Sequence, residues 1–265
     1  MHVRKQSAVY RFLAGLLRPA MRATTRHTWR GAEHLPPTGG FIAVGNHVSN
    51  FDPLTFAHFL YDNGAVPKFL VKSSLFDVPV LGTLLGRADQ IPVYRGTARA
   101  ADALVAAEAA LRQGECVAIF PEGTLTRDPA MWPMTGKTGV ARLALSTRVP
   151  VIPIAQWGAH LVLPPYTARF RPLPRKPVTV VAGPPVPLDD LYGRVPDQAI
   201  LQEATARIMA AIRAQLAEIR DQAPSRPYDI RRDGDPRAAD TAARAAKAAR
   251  SAAGRRRPRP TGAGR

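Results

Sequence analysis

Phe41-Ile42-Ala43-Val44-Gly45-Asn46-His47-Val48-Ser49-Asn50-Phe51-Asp52-Pro53 starts as an apolar run of strand length and turns into a polar loop ending at a proline. The run follows the turn-forming cluster Pro36-Pro37-Thr38-Gly39-Gly40, and four consecutive apolar residues mark a strand buried on both faces. Leu54 to Tyr61 then reads as a helix, with Pro53 suited to its first turn. The same order recurs downstream. Lys68–Val71, Ile91–Tyr94, Cys116–Phe120, Pro150–Gln156 and Val178–Ala182 are strand-like, while Ala98–Gln113, Lys137–Thr147 and Ala199–Asp221 carry helical spacing. Short apolar strands alternating with helices give an α/β fold, a single layered domain whose mostly buried sheet is flanked by helices.

The two ends differ from this body. Residues 7 to 27 read as one or two helical pieces broken at Pro19. Val9, Phe12, Leu13, Leu16 and Leu17 recur at helical spacing among Arg4, Lys5, Arg11, Arg18, Arg22 and Arg26. Such a basic amphipathic segment can lie on anionic lipid, or pack its apolar face on the domain. Past Pro224 the composition shifts to Ala, Arg, Gly and Pro, without a large apolar residue after Ile230, which predicts disorder. The expected organisation is therefore an N-terminal amphipathic segment over 1–27, a domain over 28–222 and a disordered basic tail over 223–265. Removal of everything beyond Pro224 is expected to leave activity nearly intact.

Lysine and arginine outnumber acids 37 to 20, a net charge of +17. From Arg226 onward there are twelve basic residues against four acidic ones, +8, which leaves +9 on the body. The body itself should therefore attract an anionic partner: nucleic acid, a phosphorylated substrate or an acidic membrane surface. No helix-turn-helix, zinc or RNA-binding signature supports specific nucleic-acid binding. The single cysteine, Cys116, lies in an apolar run and reads as a core residue; no disulfide can form within the chain. No run reaches the 18 or so apolar residues of a spanning helix, and Val9 to Leu17 is interrupted by Arg11. The expectation is a protein without transmembrane helix or signal peptide, peripheral on the cytoplasmic side of the plasma membrane.

His47 and Asp52 are five positions apart in the loop that follows a buried strand. A carboxylate bonded to one imidazole nitrogen fixes the tautomer and leaves the other nitrogen as a base near neutral pH. No serine or cysteine sits in a Gly-x-Ser-x-Gly elbow, and Ser49 suits a turn-forming hydroxyl. The pair thus fits activation of a substrate's own hydroxyl. Phe120-Pro121-Glu122-Gly123-Thr124 follows another strand, where functional loops of α/β folds gather. Gly123 permits close backbone approach, Thr124 and nearby amides can donate to phosphate, and Glu122 can accept from a hydroxyl or hold a basic residue. Arg95, after Ile91-Pro92-Val93-Tyr94, is a candidate phosphate fork, and Lys72 ends the strand Lys68–Val71.

Asn46-His47-x-Ser49-x-x-Asp52, the arginine block, Phe-Pro-Glu-Gly-Thr and Val149-Pro150-Val151-Ile152-Pro153 occur in the order seen in glycerolipid acyltransferases. The chain resembles that family, and most nearly its bacterial 1-acylglycerol-3-phosphate acyltransferases. The resemblance implies a fatty-acyl thioester donor, on coenzyme A or acyl carrier protein, and a lysophosphatidic acid acceptor; the alternatives are another lysolipid, glycolipid or amine acceptor and, from a different class, nucleic-acid binding through the basic tail. It implies His47 as base and Asp52 as its orienting partner. Arg95, Glu122 and Gly123 would bind the glycerol phosphate, with Thr124 in the same loop; Lys72 would help to place the donor, and the block around Pro153 would shape the acyl side. No metal or resident cofactor is implied. Two departures stand out: Leu125 occupies the place where the family often has arginine, with Arg127 two residues later, and Pro92-Val93-Tyr94 replaces the family's common Phe-Ile-Asp before Arg95.

Overall fold

A computed structural model describes residues 7–95 and 101–238. Seven strands form one sheet: β1 (Thr25–Arg30), β2 (Phe41–Gly45), β3 (Pro67–Lys72), β4 (Ile91–Val93), β5 (Cys116–Ile119), β6 (Val151–Trp157) and β7 (Lys176–Ala182). Their spatial order is β1-β7-β6-β2-β5-β3-β4. Every pairing is parallel except β6 with β7. The helices are α1 (Ala8–Thr24), α2 (Asp52–Asp62), α3 (Leu81–Arg87), α4 (Asp102–Arg112), α5 (Gly139–Thr147), α6 (Ala159–Val162), α7 (Gln198–Arg220) and α8 (Ile230–Asp233).

The period-two alternation of the strands divides the core into two layers. Ile42 and Val44 of β2 join Val117, Ile119 and Val151 beneath α4, α5 and α7. Phe41 and Ala43 point the other way, with Cys116, Ala118, Ile152 and Ile154, and meet Phe56, Phe59 and Leu60 of α2. Cys116 is a buried core residue and a free thiol. Covered on both faces, the central strands read as continuous apolar runs, as parallel strands must. Because β2 to β6 all run the same way, the loops after β2, β3, β4, β5 and β6 emerge along one edge of the sheet.

Three elements differ from the sequence expectation. Pro19 does not break the N-terminal segment: it lies inside the continuous helix α1, which Ser7 caps through its hydroxyl. Proline costs one backbone bond there, and tertiary ties compensate: Arg18 and Arg22 both pair with Asp62 at the end of α2, Tyr10 stacks on Tyr61, and Met21 is buried. Thr25–Arg30, through which the expected boundary at 27/28 passes, is the edge strand β1. Its sequence Thr-Arg-His-Thr-Trp-Arg shows no apolar alternation because it is largely exposed and is held by its ladder with β7.

The third difference is at the other end. Residues 225–238, read from composition as the start of a disordered tail, fold back onto the domain. Tyr228 bridges to Met134, and its carbonyl accepts from the Thr135 amide at 2.9 Å. The rest of the expected tail, 239–265, lies outside the described residues, as do Arg4, Lys5 and residues 96–100, where the predicted 98–113 helix was to begin.

Candidate active site

The loop between β2 and α2 is built to hold one imidazole. Asn46 carries the β2–β6 ladder a step past Gly45 with its side chain: its Nδ2 donates to the Gln156 carbonyl at 2.9 Å, and its Oδ1 accepts from the Gln156 amide at 2.8 Å. Both residues are fully buried, so the pairing satisfies groups that water cannot reach. The chain then turns. Ser49 Oγ donates to the Leu163 carbonyl at 2.6 Å and accepts from the Phe51 amide at 3.0 Å, which engages it as a turn hydroxyl.

Asp52 stands fully buried at the start of α2, where a carboxylate meets the positive end of the helix dipole. Its Oδ2 accepts from the amides of Val48 and Ser49, both at 2.6 Å, and from His47 Nδ1 at 3.0 Å. An acceptor-only oxygen at Nδ1 fixes the proton there and leaves Nε2 with a free lone pair. Phe120 stacks on the ring at 4.3 Å and 14°. The side chain of His47 remains partly exposed, so Nε2 can be reached.

Glu122 sits underneath. It is buried, with Oε1 accepting from the His47 amide and Oε2 from the Met134 amide, each at 3.0 Å. Burial pushes its carboxyl up to about 8, against the pull of those two donors. Both oxygens are thus spent on the backbone, and the side chain braces His47 against the 120–137 loop. The other residues singled out from sequence fall as follows. Gly123 takes a left-handed conformation (φ 69°), and a Cβ there would stand 3.0 Å from Nζ of Lys137. Thr124 is half-buried beside it. Arg95 is exposed at the end of β4, close enough to Lys137 that its charge, after partial burial, helps to lower the Lys137 pKa. Lys72 is exposed at the end of β3. Pro153 is inside the sheet, opposite Val44, and its carbonyl accepts from Gly183.

Sequence reasoning missed Lys137, Gln156 and Met134. Lys137 opens a predicted helix and carries no motif; only the glycine fourteen residues earlier, which its side chain crosses, hints at it. Gln156 could be read only by knowing that β6 lies beside β2.

The matching family model, Acyltransferase, spans residues 26–157, which hold β1 but for Thr25, β2 to β6 and the whole His47 loop. These residues form an acyltransferase-family domain. The 1-acyl-sn-glycerol-3-phosphate acyltransferase of Limnanthes douglasii is 32% identical over 163 residues, 61% of this chain and 54% of that protein. The Borreliella burgdorferi protein of the same name is 32% identical over 133 residues, 49% of this chain and 50% of its own length. The mouse 1-acyl-sn-glycerol-3-phosphate acyltransferase alpha is 36% identical over 129 residues, 47% of this chain and 43% of its own length. The chain spans about half the length of the curated relatives it matches. Within the acyltransferase domain lie His47, Asp52, Lys72, Arg95, Glu122–Thr124 and Pro153; α7 and the 225–238 segment, which pack on it, lie beyond the matched stretch.

Proposed function

We propose that the chain transfers a fatty acyl group from a thioester, acyl-coenzyme A or acyl carrier protein, to the free hydroxyl of 1-acylglycerol-3-phosphate, giving phosphatidic acid. The observation that carries this reading is the His47–Asp52 pair: an imidazole with Nδ1 tied to a buried carboxylate and Nε2 left open, while the nearby Ser49 hydroxyl is engaged in the turn. A base without an enzyme nucleophile acts on the acceptor itself.

His47 Nε2 takes the proton of the acceptor hydroxyl as its oxygen attacks the thioester carbonyl. The tetrahedral centre collapses by breaking the carbon–sulfur bond, and the thiolate takes the proton back from the imidazolium. Asp52 stabilises that cation through Nδ1. Arg95, Lys137 and the Gly123 backbone supply positive charge and close approach for the acceptor's phosphate; both cations are exposed and neither has an acidic partner among the described residues. Lys72, on the same edge of the sheet, is assigned to the donor side, and Pro153 to shaping β6 behind the loop. The reaction as written consumes two substrates and no resident cofactor.

The same reading places the protein at an anionic membrane surface, on the cytoplasmic side of the plasma membrane. No helix among the described residues is long and apolar enough to cross a membrane. Supporting a peripheral contact, Phe12 and Leu16 of α1 and Val78 and Val80 after β3 are exposed, beside exposed Arg11, Arg22 and Lys72. The test is a labelled-acyl transfer assay of purified protein against a panel of lysolipid acceptors, with His47→Ala alongside. The expected product is phosphatidic acid, with turnover lost in His47→Ala by on the order of 10³-fold or more. Undiminished turnover in that variant would sink the mechanism.

A further inference from the structure

The backbone of His47 is clasped on both sides. Its amide donates to Glu122 Oε1, and its carbonyl accepts from the Thr126 amide at 2.7 Å. Both clasps belong to the loop between β5 and α5, residues 120–138, which contains no helix and only one isolated bridge pair. Turns of its own hold it together, Thr126 Oγ1 donating to the Trp132 carbonyl at 2.7 Å, and what the loop is tied to sets where it sits against His47.

Both clasps lead to the same distant segment. Glu122 Oε2 holds the Met134 amide; Met134 bridges to Tyr228, whose carbonyl receives the Thr135 amide. Arg213 of α7, itself buried, donates to the Pro133 carbonyl at 2.7 Å and to the Ser225 carbonyl, and so binds loop and segment together. On the other side, the Tyr166 hydroxyl lies 2.7 Å from the Thr126 carbonyl. The guanidinium groups of Arg127 and Arg237 lie over the Tyr166 ring at 4.8 Å and 4.1 Å. Arg127 is largely buried, and Asp235 is the acid that faces it, Oδ1 standing 3.2 Å from Nε without the alignment of a hydrogen bond.

We propose that residues 225–238 are a positioning element of the catalytic centre, a strap that sets the 120–137 loop and through it the place of His47, anchored by the Arg127–Asp235 pair. This rests on the reading of His47 as the base. It also makes the C-terminal extension more than the dispensable tail that its composition suggests. Arg127 cannot lose Asp235 at no cost, because the Tyr166 ring does not neutralise a largely buried cation, which then draws water or moves. Either response shifts the loop at Thr126, one residue from Arg127 and directly bonded to His47. Small displacements of a base carry large rate penalties, whereas substrate affinity depends on groups elsewhere.

In the full-length protein, Asp235→Asn should lower kcat about tenfold and leave KM for acceptor and thioester within about twofold. Asp235→Glu should restore most of the rate. Arg127→Gln combined with Asp235→Asn should be no slower than the slower single variant, since the two changes break one contact. An Asp235→Asn protein that melts earlier but keeps its kcat below the transition would show that the segment only stabilises the fold, and would overturn the proposal. His47→Ala separates the two readings: turnover surviving in it overturns the catalytic assignment, whereas turnover lost in it but kept in Asp235→Asn overturns the strap alone.

Discussion

Three donors converge on one oxygen of Asp52, and this has a consequence for how the residue can be replaced. In Asp52→Asn the amide oxygen would occupy the Oδ2 position, because the Val48 and Ser49 amides and His47 Nδ1 all require an acceptor there. The imidazole tautomer would survive; the charge that stabilises the imidazolium would be lost, and the amide NH2 would take the buried Oδ1 place, where it has no acceptor. The expected outcome is a fall in kcat on the order of 10²-fold with KM little changed, read in the acyl-transfer assay; an unaltered kcat would show that the carboxylate charge is idle. On the proposed reading, Arg95 and Lys137 act on the other variable. Arg95→Ala or Lys137→Met should raise KM for a phosphorylated acceptor about 10- to 100-fold, the worth of one charge-assisted contact, and leave the thioester's KM nearly unchanged. An effect confined to the thioester would reassign both cations. The contact between His47 and Asp52 was legible in the sequence, because five residues fit one loop. Lys137 was not, because what marks it is its path across Gly123, a contact that exists only once β5, its loop and the start of α5 are folded. The contacts of Glu122 were not legible: nothing in Pro-Glu-Gly-Thr shows that both its oxygens face backbone amides.

The helix α2 ties the His47 loop to the rest of the molecule, and a buried histidine on it is expected to make that tie sensitive to pH. His58 lies among Trp29, His27 and Phe59, with Nε2 3.6 Å from Asp62, which also holds Arg18 and Arg22 of α1. Burial pushes its pKa down to about 4; the Asp62 carboxylate opposes this, while His27, Arg18 and Arg22 add to it. The folded protein therefore refuses a proton that the unfolded chain accepts near the ordinary histidine value. Stability should be full above about 6.5 and fall as the pH drops toward about 4, by on the order of 2 kcal/mol from this residue. Glu122, raised by burial, works in the opposite window: its contribution is lost as the pH rises from about 4.5 toward about 8. Denaturant melts of His58→Phe against the unaltered protein isolate the first effect. A flatter acid limb is expected in the variant, and parallel curves would refute it. At this scale most of the fold was readable. The central strands and α4, α5 and α7 follow from apolar runs and helical spacing, because they are covered on both sides or along one face. The edge strand β1 was not readable, since ladder bonds with β7 define it and its side chains face water. Nor was the return of 225–238, held by an arginine ion pair, a ring and backbone bonds in place of an apolar core.

For the molecule as a whole, charge and apolar exposure coincide in α1 and in the loop after β6. Between Asp128 and Asp189 the chain has no acidic residue at all. That stretch includes the loop after β6, where Phe170 and Leu173 are exposed among Arg169, Arg171 and Arg175. The loop belongs to the site's surroundings: the Leu163 carbonyl receives Ser49 Oγ, and Phe170 lies 6.1 Å from Phe51. On the far side of Phe51, Met21 of α1 shares its cluster with Val162. The loop after β6 thus borders the His47 loop, α1 reaches the same cluster through Met21, and both α1 and this loop carry exposed apolar residues and arginines. Each basic residue held near an anionic bilayer contributes about 1 kcal/mol, screened over roughly 8–10 Å at ordinary salt. Purified protein should float with vesicles containing an anionic phospholipid and not with zwitterionic ones, and should be released as salt is raised. Phe170→Ser with Leu173→Ser should weaken flotation several-fold, on the scale of burying two apolar side chains, and Phe12→Ser with Leu16→Ser should do the same. Turnover of an acceptor dispersed in detergent should be unchanged in both variants, because none of the four residues touches the base or the cations. Equal flotation with zwitterionic vesicles, insensitive to salt, would mean that the charge has another partner; binding lost together with detergent-phase turnover would mean that the loops hold the site's shape and not the bilayer.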